Sequence, residues 1–341
     1  MGHKKKRNQT NQNIKETTET DILSWQEREE QKVFESILQI SSCWGEEEKM
    51  TQKILESIPK DPSISISIKD GNIIVTKGRI GVNEYFPTVC CHIDTVFNTT
   101  DSGVINVLRE DHKKGEFIYS SPTGIGGDDK CGIFSCLQLL KKEKSIKAIF
   151  FSGEEIGMVG ANNIDLEEFD DVGYLIELDR KGGNDIIMIH YGKNMVSPVF
   201  LQKIENLLTK EGYKQAEGIG TDVSSLQERG LDISAVNISC GYYNPHLVSE
   251  FIKYSEVLNG ISLAEKMISK LGKQRYAGIE NANNKKFFIV SNTRSIFMES
   301  GDLYECMFCG TYGDEREMSF STYGEVCNEC LDSMVSSYIE S

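Results

Sequence analysis

The chain has 341 residues, of which 39% are hydrophobic, with 37 basic and 52 acidic side chains and a formal net charge of −15. That length and apolar content suffice for one large α/β core with a small appendage. The acidic balance disfavours anionic membranes and bulk nucleic acid as partners.

Residues 1–20 are polar, rich in Asn, Thr and Lys, and expected to be disordered. The basic start Met1–Arg7 has no apolar segment after it and does not read as a secretory signal. No stretch is long and apolar enough to span a membrane, and buried free thiols at Cys43, Cys90, Cys91, Cys131, Cys136 and Cys240 fit a reducing compartment, so the expected location is the cytoplasm. Trp25–Ser41 and Glu46–Ile58 read as amphipathic helices, the second from the spacing of Met50, Ile54, Leu55 and Ile58. Ile64–Ile68 alternates as a strand, Asp70-Gly71 turns, and Ile73–Val75 returns as its hairpin partner.

From here on, apolar runs lead into polar residues. Tyr85–Cys91 leads into His92-Ile93-Asp94, and Val104–Val107 with Glu116–Tyr119 form an expected second hairpin. Gly124–Gly127 gives a glycine-rich approach to Asp128-Asp129-Lys130 ahead of a helix over Gly132–Leu140; no GxxxxGK[ST] phosphate loop is present. Ala148–Phe151 ends near Glu154-Glu155, and Val172–Ile176 runs towards Asp179. Strands over Asp185–Tyr191 and Ile233–Ser239 flank a helix over Ser197–Thr209, and His246 follows Tyr242-Tyr243-Asn244-Pro245. In an open α/β sheet, ligands collect outside the carboxyl ends of the strands. The pattern therefore predicts one site assembled from distant sequence.

The residue types at those strand ends are the inventory of a two-metal hydrolase. Such a centre needs two imidazoles, carboxylates for each ion, one carboxylate to bridge them, and a separate carboxylate to take a proton from water. Only five histidines are available: His3 lies in the basic tail and His112 in a charged turn, which leaves His92, His246 and, as an alternative ligand at the end of a strand, His190.

Between about Trp25 and Leu271 these segments resemble the co-catalytic zinc exopeptidases, the group that includes aminopeptidases, peptidase T and carboxypeptidase G-type enzymes. The resemblance implies an α/β fold, with a mixed, mostly parallel central sheet flanked by helices. It also implies two zinc ions, or cobalt or manganese in their place. By similarity His92 and Asp179 hold one ion, Glu155 and His246 the other, and Asp128 bridges them. Glu154 is the general base, and Asp94 orients an imidazole. Thr221-Asp222 resembles a loop that approaches the site in such enzymes. Asp222, with Arg180 beside Asp179 and Tyr243 before His246, is a candidate substrate contact: Arg180 for a carboxylate, Tyr243 for a side chain or a developing oxyanion. The 66 residues between Asp179 and His246 leave no room for the lid domain that many peptidase T-like relatives insert there.

The implied activity is hydrolysis of small peptides or peptide N-termini, as an aminopeptidase or a di- or tripeptidase. The alternatives are a deacylase or deacetylase of small N-acyl compounds on the same metal core, and a non-catalytic binding protein acting through the C-terminal region. In that region Cys306-x-x-Cys309 and Cys327-x-x-Cys330, seventeen residues apart, have the spacing of a four-cysteine structural zinc ribbon. Residues 299–341 hold ten acidic residues, one arginine and no lysine, which argues against nucleic acid and leaves a protein partner or plain stabilisation as its use. The expected organisation is a tail over 1–20, a catalytic domain over 21–272, a linker over 273–300 with a strand at Lys286–Val290, and a zinc-ribbon-like four-cysteine module over 301–341.

Overall fold

Runs such as Phe86–His92 and Ile146–Phe151 are apolar with almost no alternation, the composition of strands covered on both faces. The computed structural model describes residues 19–96, 104–112, 115–218, 220–278, 304–305, 312–313, 318–321 and 324–327. It begins with two helices, α1 (Glu19–Leu38) and α2 (Glu48–Ser57), and a hairpin of β1 (Ile64–Lys69) and β2 (Asn72–Lys77). β3 (Phe86–His92) follows, then a second hairpin of β4 (Val107–His112) and β5 (Gly115–Ser120), α3 (Gly127–Lys142) and β6 (Ile146–Phe151). Next come α4 (Val159–Asn163), a 3-10 turn at Leu166–Phe169, β7 (Val172–Arg180), β8 (Asp185–His190) and β9 (Lys193–Asn194). α5 (Pro198–Glu211), β10 (Lys214–Gly218), α6 (Asp222–Glu228), β11 (Ala235–Ser239), β12 (Tyr242–Tyr243), β13 (Phe251–Ile252) and α7 (Tyr254–Leu271) complete the body.

Nine strands form one sheet in the order β1-β2-β6-β3-β7-β11-β8-β10, with β9 on β8. The centre is parallel (β6 with β3, β3 with β7, β7 with β11), as is β8 with β10, while β1, β2 and β9 join antiparallel and β11 meets β8 antiparallel. The mixed sheet flanked by helices thus matches the expected class. α3 is buried over nearly its whole length because it lies on β3 and β7 with α1 and α7 around it. Phe34, Phe134 and Tyr254 pack together there, with ring centroids 4.7 and 5.4 Å from Phe34. Apolar area removed from water at such positions is the main stabilising contribution, roughly 1.5–3 kcal/mol per large side chain.

The parallel register puts the polar ends at one level. His92 pairs with Phe151, three residues before Glu154, and Cys90 pairs with Glu177, two residues before Asp179. A second, four-stranded sheet in the order β12-β13-β5-β4 stands beside that edge. It carries His246 in the connection between its first two strands. The second strand of the second hairpin lies where the sequence pattern suggests, at β5, but the first begins three residues later: β4 starts at Val107, and Val104 makes an isolated bridge to Ile40.

The packed body runs on to residue 278. Tyr276 is buried against Tyr174 and Phe200, its N–H donates to the Gly173 carbonyl, and its own carbonyl accepts from Ser234. Further along, β14 (Tyr304–Glu305) pairs with β15 (Tyr312–Gly313), and β16 (Met318–Ser321) pairs with β17 (Gly324–Cys327). Cys327 ends β17; Cys306, Cys309 and Cys330 lie outside the described residues, as does the strand expected at Lys286–Val290. No helix among the described residues is long and apolar enough to cross a membrane.

Candidate metal centre

Two imidazoles meet on one carboxylate. His92 Nε2 lies 3.0 Å from Asp128 Oδ1, and His246 Nε2 lies 3.3 Å from Asp128 Oδ2. Beyond His92 stands Asp179, its Oδ1 3.5 Å from the same Nε2, and beyond His246 stands Glu155, its Oε2 at 3.0 Å. The five residues expected as metal ligands therefore form one chain of contacts centred on Asp128. Potential ligand atoms of His92, Asp128 and Glu155, and separately of His92, Asp129 and Asp179, all fall within 4.8 Å of one another. His190 enters neither group; it ends β8 with its ring edge-on to Tyr191.

The backbone that presents these groups is tightly held. Asp128 and Asp129 open α3 with non-helical torsions, and the peptide bond between them is cis. Gly127 lets this turn press against the second sheet, since a Cβ there would lie 2.8 Å from the Tyr242 Cβ and 2.9 Å from Ile252. Glu250, 1% exposed and four residues after His246, accepts hydrogen bonds from the N–H groups of Gly126 (2.7 Å) and Asp128 (3.0 Å). It ties the His246 segment to the Asp128 turn. Asp129 accepts from the backbone of His92 at 3.3 Å and of Gly132 at 2.8 Å. Lys130, fully buried, donates to the carbonyls of Leu38 and Ile125.

Asp94 does something besides its expected role. Its two oxygens accept from the N–H groups of Glu154 (3.0 Å) and Glu155 (3.1 Å), while His92 Nδ1 lies 3.5 Å away. It fixes the backbone of the glutamate pair and faces the imidazole from the far side of the ring. Across the sheet, the Asn237 amide accepts from the Asp179 N–H and donates to the Asp179 carbonyl, both at 3.0 Å. Glu177 accepts from the Thr221 hydroxyl and the Val223 N–H.

The three candidate substrate contacts separate. The Tyr243 hydroxyl bonds Glu256, and its ring stacks on Phe251 at 4.9 Å with Lys253 Nζ 4.2 Å from the ring centroid, so it braces the small sheet. Its neighbour Tyr242 instead reaches the centre, hydroxyl to Asp179 Oδ1 at 3.2 Å. The Arg180 guanidinium lies 3.5 Å from Asp185. Asp222, at the start of α6, is fully buried, and no hydrogen-bond donor among the described residues reaches either of its oxygens.

The electrostatics of the donor set suit a divalent cation. Burial pushes Glu154, Glu177 and Asp222 well above the ordinary carboxylate range, and each has other acids of the cluster as neighbours. Asp179 is raised to about 7 by burial and the Asp128 charge, against the pull of His92. Burial opposes charge on His92 and His246, yet the surrounding carboxylates raise both, His246 to about 11; the same imidazoles hold Asp128 far below its usual range despite its burial. So many buried acids cannot all ionise facing two imidazoles alone. Metal cations would replace the protons that the cluster otherwise retains. An orphaned atom agrees: among the described residues, Glu155 Oε1 is buried with no hydrogen-bond partner. The residues present fit a centre of His and carboxylate ligands.

No protein-family model matches the sequence, and comparison with curated proteins gives no match. Solved structures do match. The chain superposes on the aminopeptidase PepT of Bacillus cereus with a TM-score of 0.58 at 16% identity, covering 72% of this chain and 98% of that one. A tripeptidase of Staphylococcus aureus gives 0.55 at 14% identity, again over 72% and 98%. An aminopeptidase of the archaeon Desulfurococcus kamchatkensis gives 0.52 at 13% identity over 73% and 99%. At these identities the likeness is one of fold: the body of this chain has the architecture of these peptidases.

Proposed function

We propose that this chain is a metal-dependent hydrolase of peptide bonds, acting on small peptides or peptide N-termini as an aminopeptidase or a di- or tripeptidase. The observation that carries the reading is the convergence of His92 and His246 on the two oxygens of Asp128, flanked by Asp179 and Glu155. It stands on a fold similar to that of two aminopeptidases and a tripeptidase.

In this reading His92 and Asp179 would hold one ion, Glu155 and His246 would hold the other, and Asp128 would be shared between them. Bound there, two zinc ions, or cobalt or manganese in their place, supply a water of lowered pKa and polarise the amide carbonyl. The protein does the rest. Glu154, free of a ligand role beside Glu155, takes the proton of the water and returns it to the departing nitrogen. Asp94 holds the Glu154 and Glu155 backbone in place through its two hydrogen bonds, so the base keeps its position beside the ligand. Tyr242, on Asp179, and Glu250, on the Asp128 turn, orient the ligands from behind. No lid domain belongs to this reading. The four cysteines of the C-terminal module hold a separate structural zinc, and the protein works in the cytoplasm.

Elemental analysis with a substrate panel tests it. The intact protein should carry about three zinc equivalents. Glu154→Gln should keep them and lose roughly 10²–10⁴-fold in turnover of aminoacyl, dipeptide and tripeptide substrates. Turnover of N-acyl compounds alone would move the assignment to a deacylase on the same centre. One equivalent, unchanged by His246→Ala and with no turnover after added zinc, cobalt or manganese, would replace it with a binding protein acting through the C-terminal module.

A further inference from the structure

A turn between α1 and α2 places an indole against the site. Cys43 bridges Thr95 in parallel, and the Thr95 N–H donates to the Ser42 carbonyl at 3.0 Å, so this turn runs beside the segment that leaves Asp94. Trp44, the next residue, lies over Gly153, immediately before the glutamate pair. A Cβ on Gly153 would come within 2.6 Å of the ring carbon Cζ3, and the glycine has φ +69°. The indole therefore rests on the one residue type that leaves room for it.

Trp44 is nevertheless 42% exposed, and two apolar side chains on the adjoining segments, Val96 at 39% and Ile156 at 48%, are exposed too. Val96 follows Asp94 by two positions, and Ile156 follows Glu155 directly. Apolar surface bordering a charged cleft is the usual anatomy of a ligand pocket: apolar walls around a few placed polar groups. The charge around it adds a second constraint. Glu46, Glu47 and Glu48 follow Trp44, and the Glu47 carboxylate is bonded by the Ser152 hydroxyl at 3.4 Å, on the other side of Gly153. The apolar surface lies in a negative field, which favours a peptide amino group and repels an acidic side chain.

We propose that Trp44, Val96 and Ile156 form the wall of the pocket for the N-terminal side chain of the peptide substrate, selecting large apolar or aromatic residues and rejecting acidic ones. The proposal rests on the hydrolase reading for its substrate and adds the side-chain preference.

The test compares tripeptides X-Gly-Gly with X as Phe, Leu, Ala or Asp on the metal-loaded full chain. The wild type should favour Phe and Leu over Ala, and Asp should be the poorest. In Trp44→Ala the ratio of kcat/KM for Phe over Ala should fall about tenfold, and Trp44→Phe should restore most of it. Ile156→Ser, at an exposed position, should lower the same ratio a few-fold without depending on whether the indole is needed for folding. An equal loss on all four peptides, with the ratio intact in both variants, would mean that Trp44 only braces Gly153 and would overturn the proposal; so would a wild-type preference for Ala or Asp. Calorimetric binding of the same peptides to Glu154→Gln and to Glu154→Gln/Trp44→Ala separates the two readings. Absence of turnover with tighter binding of Phe-Gly-Gly that Trp44→Ala abolishes would sink the hydrolase and keep the pocket. Turnover without side-chain preference would do the reverse, and the absence of both turnover and selective binding would end the proposal.

Discussion

The two imidazoles of the candidate centre stand on different kinds of support. His92 ends a strand at the middle of the nine-stranded sheet, is 1% exposed, and has Asp94, Asp128 and Asp179 around its ring. His246 sits in a loop of the small sheet, its side chain 38% exposed, with φ 63° in the left-handed region that non-glycine residues seldom adopt. One is fixed by the core; the other is held against it. The contrast marks where the centre is rigid and where it can be loosened, and removing each imidazole in turn measures it.

His92→Ala should do the most damage. It leaves three buried carboxylates facing an uncompensated void, and breaking a buried charge arrangement of this kind costs on the order of 3–5 kcal/mol. Zinc content of the cleft should fall to zero, and the metal-free protein should unfold at lower denaturant concentration. His246→Ala should lose the metal bound on its own side and almost all activity while leaving the metal-free denaturation midpoint close to wild type. Equal destabilisation by both substitutions would mean that the loop imidazole is as much a part of the core as the strand imidazole.

Glu250 is the hinge of that comparison. Its two hydrogen bonds from backbone N–H groups join its carboxylate to the Asp128 turn, and burial raises its own pKa to about 8, with the Asp128 charge adding to it. Glu250→Ala should free the His246 loop and weaken zinc binding by about 10–100-fold, the usual cost of losing a group that orients a ligand. Competitive titration against a chelator reads this without reference to turnover. Unchanged affinity would show that the loop is positioned by the stacking of Tyr243 on Phe251 alone.

These contrasts also separate what the sequence makes legible from what it hides. β3, β6 and β7 are visible because a strand buried on both faces is a continuous apolar run, and the candidate ligands appear where each run stops. The bridging place of Asp128 follows from the resemblance alone; in the structure both imidazoles contact its carboxylate. Glu250, Asn237 and Glu177 carry no such signal. They are polar residues buried by partners far away in sequence, 122 residues in the case of Glu250 and Asp128, and nothing local distinguishes them from surface positions. α7 lies outside the elements expected from the sequence, although Val257, Ile261, Ala264 and Ile268 carry the helical spacing that signals it. The end of the body is hidden for another reason: the segment after α7 is anchored by the buried Tyr276 and by Arg275, which donates to the carbonyls of Phe169, Asp170 and Val172, and neither forms a periodic apolar pattern.

The mildest outcomes belong to the tyrosine pair, and they test how a strand assigns its faces. Successive residues on a strand point to opposite sides, so the sequence Tyr242-Tyr243 puts one hydroxyl towards the centre and one away from it without saying which. In the structure Tyr242 reaches Asp179 and Tyr243 reaches Glu256. Tyr242→Phe removes a hydrogen bond to the Asp179 carboxylate, a contribution of about 1.5–3 kcal/mol when that group is charged. It should weaken zinc on the Asp179 side and reduce kcat/KM several-fold. Tyr243→Phe keeps the ring stacked on Phe251 and loses a partly exposed bond to Glu256, so about 0.5–1.5 kcal/mol of stability and little activity should go with it. If kcat/KM instead drops in Tyr243→Phe and holds in Tyr242→Phe, Tyr243 is the substrate contact that its position before His246 suggests, and the face assignment of β12 is inverted.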